Sequence, residues 1–206
     1  MSVTIQRERG GPLHATAVVP VRISPADEWR RIQQQSTARW PRRSRRAGYC
    51  VLWCCGGDEP ERLLREALGG DLREIDGLVL DLRGGWGGCN PSLLDVLRPE
   101  GDRCDRRLVL LVDRRTRSGK EVVARLVQKR GWGTVIGERT AGAVLRARPF
   151  LLEDRSVLYL AVQEFDLEGE RLEGWGVEPD IRACSDTSYA GGRDPSLEIA
   201  LDYLAG

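Results

Sequence analysis

Two uninterrupted apolar runs decide the fold class of this 206-residue chain. One is Leu78-Val79-Leu80 within Gly77–Leu82, and the other is Leu108-Val109-Leu110-Leu111-Val112. They run up to Asp81 and Asp113. A strand with one wet face alternates apolar and polar residues. A run without alternation belongs to a strand covered on both faces. Tyr49-Cys50-Val51-Leu52-Trp53 and Thr134-Val135-Ile136-Gly137 read the same way. Between these runs the spacing turns helical. Glu59 to Leu68 places Leu63, Leu64, Ala67 and Leu68 on one side, and Gly69-Gly70 stops it. Residues 91–97 form a second helix. Residues 119–130 form a third, with Val122, Val123, Leu126 and Val127 at helical spacing. Pro195 to Ala205 closes the series with Leu197, Ala200, Leu201 and Leu204 on one face. Strands alternating with helices predict an α/β fold with crossover connections and covered sheet layers.

The flanks read differently. Residues 3–6 and 13–22 predict a β-hairpin around Arg9-Gly10-Gly11-Pro12. Ser24 is a good N-cap for a helix over 25–35. The stretch from Arg30 to Arg46 holds seven arginines and no acid, and reads as a solvated linker. A second hairpin is expected over 149–152 and 156–163, turning at Glu153-Asp154-Arg155. The expected organisation is a hairpin over 1–22, a helix and basic linker over 23–46, and a core over 47–206.

Composition narrows the chemistry. The 32 basic and 31 acidic residues leave a net charge of +1, which argues against a general nucleic-acid binder. No apolar run approaches the roughly 20 residues needed to span a bilayer. The first residues lack the apolar stretch of a signal peptide, so a cytoplasmic setting with reduced thiols is expected. The six cysteines form no C-x-x-C pair, and His14 is the single histidine, so no metal site and no cofactor is expected. Cys50 reads as a small core residue. Only Lys120 and Lys129 among the 32 basic residues are lysines, leaving 30 arginines. Arginine keeps its proton near neutral pH, whereas lysine can release it when its surroundings depress its pKa.

Two loops at strand ends carry candidate chemistry. Gly84-Gly85-Trp86-Gly87-Gly88 exposes backbone N–H groups and permits positive φ. It is neither a P-loop nor a G-x-G-x-x-G turn. Thr116-Arg117-Ser118-Gly119-Lys120-Glu121 places Ser118 at a strand–turn–helix junction. Ser118 reads either as a helix cap or as a nucleophile, with Gly119 and a glycine of the first loop as oxyanion donors.

Four ordered segments resemble the C-terminal-processing (tail-specific) serine proteases and their tricorn-type relatives. Gly77 through Gly88 is similar to that family's strand and Asp-Leu-Arg-x-x-x-Gly-Gly turn. Leu111 through Val122 is similar to its nucleophile segment, in which a serine lies three residues before a glutamate. Val135-Ile136-Gly137-Glu138-Arg139-Thr140-Ala141-Gly142 is similar to its Gly-Glu-x-Thr-x-Gly loop. Gly174-Trp175-Gly176-Val177-Glu178-Pro179-Asp180 matches its Gly-x-Gly-Val-x-Pro-Asp segment. The resemblance covers roughly 46–182. It implies a crotonase-like (ClpP-type) core of stacked sheet and helices. It also implies Ser118 as nucleophile and an oxyanion hole from Gly119 with Gly87 or Gly88. The short N-terminal hairpin resembles the tail of the PDZ domain that usually precedes this core.

The departures from the pattern concern the base. Processing proteases place a lysine after the Gly-Glu-x-Thr-x-Gly loop, where this chain has Ala143. Tricorn-type members take a histidine from the strand that here reads Gly48-Tyr49-Cys50-Val51-Leu52. Two readings follow. In one, Lys120 acts as the base of a serine peptidase, with Glu173 as an orienting carboxylate. In the other, the fold is an inactive peptide-binding or assembly protein. Either way the expected partner is a peptide or unfolded protein segment, with no nucleic acid and no membrane, and an oligomer is compatible with the sequence.

Overall fold

The computed structural model describes residues 1–42, 45–98, 106–184 and 192–206. Strands β1 (Ser2–Gln6) and β2 (Leu13–Ala17) form an antiparallel hairpin. Helix α1 (Pro25–Ser36) follows, and Ser24 accepts the Asp27 N–H at its start. Then come β3 (Ala38–Arg42), β4 (Arg45–Val51) and α2 (Glu59–Gly69). The core continues with β5 (Gly77–Asp81), α3 (Leu93–Leu97), β6 (Arg107–Val112), α4 (Gly119–Lys129) and β7 (Thr134–Gly137). A second hairpin, β8 (Arg146–Leu151) with β9 (Val157–Gln163), leads to β10 (Ile181–Arg182) and α5 (Pro195–Ala205).

The central sheet has six strands in the order β10-β7-β6-β5-β4-β3. All its pairings are parallel except that of β3 with β4. Leu78 faces Gly48 on one side and Leu108 on the other, which puts the two diagnostic apolar runs at the sheet centre. Their side chains alternate between two cores. Leu78, Leu80, Leu108, Leu110 and Val112 pack with Leu64 of α2, Leu93 and Leu94 of α3, and Val123 and Val127 of α4. Val79, Val109, Leu111 and Ile136 pack with Ala200, Leu201 and Leu204 of α5 on the opposite face. Coverage on both faces is why these strands carry no polar alternation.

The structure corrects three expectations. Residues 38–42 of the basic linker are an edge strand. Pro41 hid it, and Pro is tolerated in a sheet at such an edge. Arg39 donates to Gly70 O at 3.3 Å, and Trp40 packs at a tilt against Tyr49 with centroids 5.3 Å apart. The helix expected over 91–97 begins only at Leu93. Cys55 and Cys89 are joined in a disulfide rather than reduced. Cys50 is buried in the core as expected, and burial pushes its thiol up to about 11. Cys104 lies outside the described residues. None of the described helices is long and apolar enough to cross a membrane.

Candidate active site

Parallel strands aim their carboxyl ends the same way, so the loops after β4, β5 and β6 converge at one edge of the sheet. Buried carboxylates fix those loops. Asp81, at the end of β5, accepts the Tyr49 hydroxyl at 2.8 Å, the Arg83 N–H at 2.9 Å and the Arg83 guanidinium. Asp113, just after β6, accepts the N–H groups of Gly84, Arg115 and Thr116 through one oxygen, at 3.0, 3.0 and 2.8 Å. Burial pushes the Asp113 carboxyl upward. The Gly84 N–H, the Arg115 guanidinium and the other donors outweigh that and hold it below its ordinary value. Asp113 thereby joins the glycine turn to the loop that carries the serine.

Ser118 begins α4 with φ 59° and ψ −133°. This is a strained backbone for a residue with a Cβ. Its N–H donates to Ala143 O at 3.0 Å and to Glu121 Oε2 at 2.9 Å. The Glu121 carboxylate has no exposed surface, and it also accepts Thr140 Oγ1, Gly142 N and Ala143 N at 2.5, 2.6 and 2.9 Å. One carboxylate therefore pins the serine junction to the 140–143 loop. The Ser-x-x-Glu spacing is the sequence signal for it, since a glutamate three residues into a helix reaches back to the cap.

Gly87 meets the serine directly. A methyl group on Gly87 would lie 2.4 Å from Ser118 Cβ and 3.1 Å from Ser118 Oγ, so no other residue fits there without a shift. Gly119 is equally confined, because a methyl there would lie 2.3 Å from Cys89 O. A methyl group on Gly88 would lie 3.1 Å from Gly56 Cα. Gly88, Ser118 and Gly119 share the wall of a cavity of about 470 Å³ with Val122, Val144, Tyr159 and Phe165. These apolar walls are not legible in the sequence, because they come from α4, β9 and two loop segments separated along the chain.

Lys120 and Glu173 both bond to backbone groups of the loops around the site. Lys120 is fully buried, and burial pulls its pKa down to about 8. Its Nζ, however, donates to Trp53 O, Leu82 O and Gly84 O at 3.1, 3.2 and 2.8 Å. An ammonium has three protons, and these three carbonyls engage them all. Glu173 accepts Val144 N at 2.7 Å and Leu145 N at 3.1 Å, which fixes the backbone of the cavity wall. Ala143 lies beside Ser118 through its carbonyl, and Val51 pairs with Asp81 in the sheet.

Residues 97–183 match peptidase family S41. The chain is 28% identical to a carboxyl-terminal-processing protease of Synechocystis sp., over 64% of this chain and 37% of that protein. Among solved structures it is similar to the photosystem II D1 C-terminal processing protease, with 25% identity and a TM-score of 0.54. That match covers 71% of this chain and 45% of the other. The tricorn protease shares the fold at TM-score 0.62 and 21% identity, over 86% of this chain and 19% of its own. A putative S41 protease from Bacteroides fragilis does so at TM-score 0.64 and 17% identity, over 100% and 65%. This chain thus spans less than half the length of the first two relatives. It resembles the C-terminal-processing proteases in sequence and in fold, and the tricorn protease in fold.

Proposed function

We propose that this chain carries the catalytic core of a serine-type peptidase of the tail-specific kind, with Ser118 as its nucleophile. The observation that carries the reading is the strained backbone of Ser118, held at a strand-to-helix turn against Gly87. Strain of this kind persists only where the surroundings impose it, and a nucleophile raised on a sharp turn is a recurrent use of it. The N–H groups of Gly119 and of Gly87 or Gly88 are the donors for a developing oxyanion. The substrate is a peptide or unfolded segment whose apolar side chain enters the cavity walled by Val122, Val144 and Phe165. A mainly parallel sheet with helices on both faces supports the crotonase-like reading of the core. The alternative of an inactive binding protein is not favoured by the similarity to peptidases.

The customary base positions hold Ala143 and Val51, so expulsion of an amine from a peptide is slow here. Fluorophosphonate labelling is the sensitive assay, because fluoride leaves without needing a proton. In that reaction the Ser118 oxygen bonds to phosphorus, the phosphorus–fluorine bond breaks, and the hydroxyl proton passes to solvent. Peptide mapping of the labelled protein should find the adduct on Ser118 alone, and Ser118→Ala should abolish it. A folded wild-type protein that takes no label overturns the assignment.

A further inference from the structure

Lys120 has no exposed surface and stands two residues after Ser118. Its three acceptors come from two loops: Trp53 O after β4, and Leu82 O and Gly84 O after β5. The Trp53 carbonyl also accepts the Trp86 N–H at 2.9 Å, from the middle of the glycine turn. A methyl group on Gly85 would lie 1.8 Å from that same oxygen. The turn is therefore folded around a carbonyl that the ammonium holds. A neutral amine has two N–H bonds and one lone pair, so deprotonation would set the lone pair against one of the three carbonyl oxygens. The arrangement requires the charge.

We propose that Lys120 is a positioning residue: its ammonium locks the Gly84–Gly88 turn against the first turn of the helix that carries Ser118. The proposal rests on the peptidase reading for its link to activity, but the lock itself does not. The charged and titratable groups around the amine are Asp81 at the end of β5, Asp113 after β6 and Cys54 after Trp53, and each favours the protonated form. Asp81 is already held by Arg83 and Tyr49, and Asp113 by the Gly84, Arg115 and Thr116 donors. Burial works against the charge, which brings its loss within reach of a pH titration near 8.

A lock and a base respond to pH in opposite directions. The rate of fluorophosphonate labelling is measured from pH 7 to 9.5 for the wild type and for Lys120→Met. As a lock, the lysine makes the wild type faster by about 10–100-fold below pH 8. That advantage shrinks as the amine loses its proton. An advantage that grows above pH 8 assigns the amine as base and overturns the proposal, and so does measurable labelling at equal rates at every pH. Hydrogen exchange over residues 82–88 supplies the second readout. It should quicken in Lys120→Met at pH 7, with residues 107–112 unchanged. If neither protein takes label but the turn exchanges faster in the variant, the lock stands and the peptidase reading falls. Unchanged exchange overturns the lock whatever the labelling shows. Should Lys120→Met fail to fold, the wild type decides alone. Exchange of 82–88 relative to 107–112 must then rise as pH passes 8, and a constant ratio overturns the proposal.

Discussion

Ser118 occupies backbone angles that a residue without a Cβ would adopt at less cost. The stored strain is about 1–3 kcal/mol for such a conformation. Ser118→Gly should therefore raise stability by about 1 kcal/mol in urea unfolding while abolishing fluorophosphonate labelling. A loss of stability would mean that the hydroxyl contributes more to the fold than the strain takes away. The neighbouring position makes the complementary test. Ala143 O lies 3.0 Å from Ser118 N, so a side chain at 143 starts beside the serine. Ala143→Lys supplies an amine where the processing proteases keep theirs. It should raise peptide turnover by at least about tenfold. Turnover unchanged in a folded variant would place the missing proton acceptor elsewhere.

The elements differ in how openly the sequence declares them. β5 and β6 were legible because burial on both faces leaves nothing but apolar residues. β3 was not, because an edge strand needs neither apolar continuity nor every N–H, and Pro41 with its arginine neighbours looks like linker. β10 has two residues and shows no periodicity to read. At the site, the meeting of Ser118 with Gly87 followed from both loops leaving parallel strands. The direction of the Lys120 side chain did not, because its acceptors are carbonyls supplied by two other loops. The β8–β9 hairpin was legible as strands, yet its environment is unusual. Every one of its strand residues is exposed, including Leu151 at 75% and Val157 at 60%. Apolar strands with open edges favour association between chains. Leu151 and Val157 face each other across the hairpin. Leu151→Lys with Val157→Glu places opposite charges on that pair, so the hairpin is kept while the patch is broken. Light scattering at high protein concentration should fall, and labelling of Ser118 should be unchanged. Scattering equal to that of the wild type would show that the hairpin is not the source of association.

Across the whole molecule, one ion cluster couples the site to the opposite face of the sheet. The Arg83 guanidinium sits between Asp81 at the end of β5 and Asp194 at the start of α5, with contacts of 2.6 Å to each. Asp194 also accepts the Leu197 N–H, so it caps the helix while paired. Arg83→Ala leaves two carboxylates facing each other without their cation. It should cost about 2–3 kcal/mol in urea unfolding, with Asp194→Asn costing less. Equal costs would mean that helix capping, rather than the ion pair, holds α5 in place. The order of the elements along the chain adds a consequence in time. α5 is synthesised after every strand it covers, at about 5–20 residues per second. Until it leaves the ribosome, Val79, Val109, Leu111 and Ile136 have no cover, and Arg83 waits for its second carboxylate. The strands that build the serine site are made early but cannot commit to their final packing until Pro195–Ala205 has emerged from the ribosome. A nascent chain arrested before that point leaves the apolar face of the sheet open to chaperones and proteases.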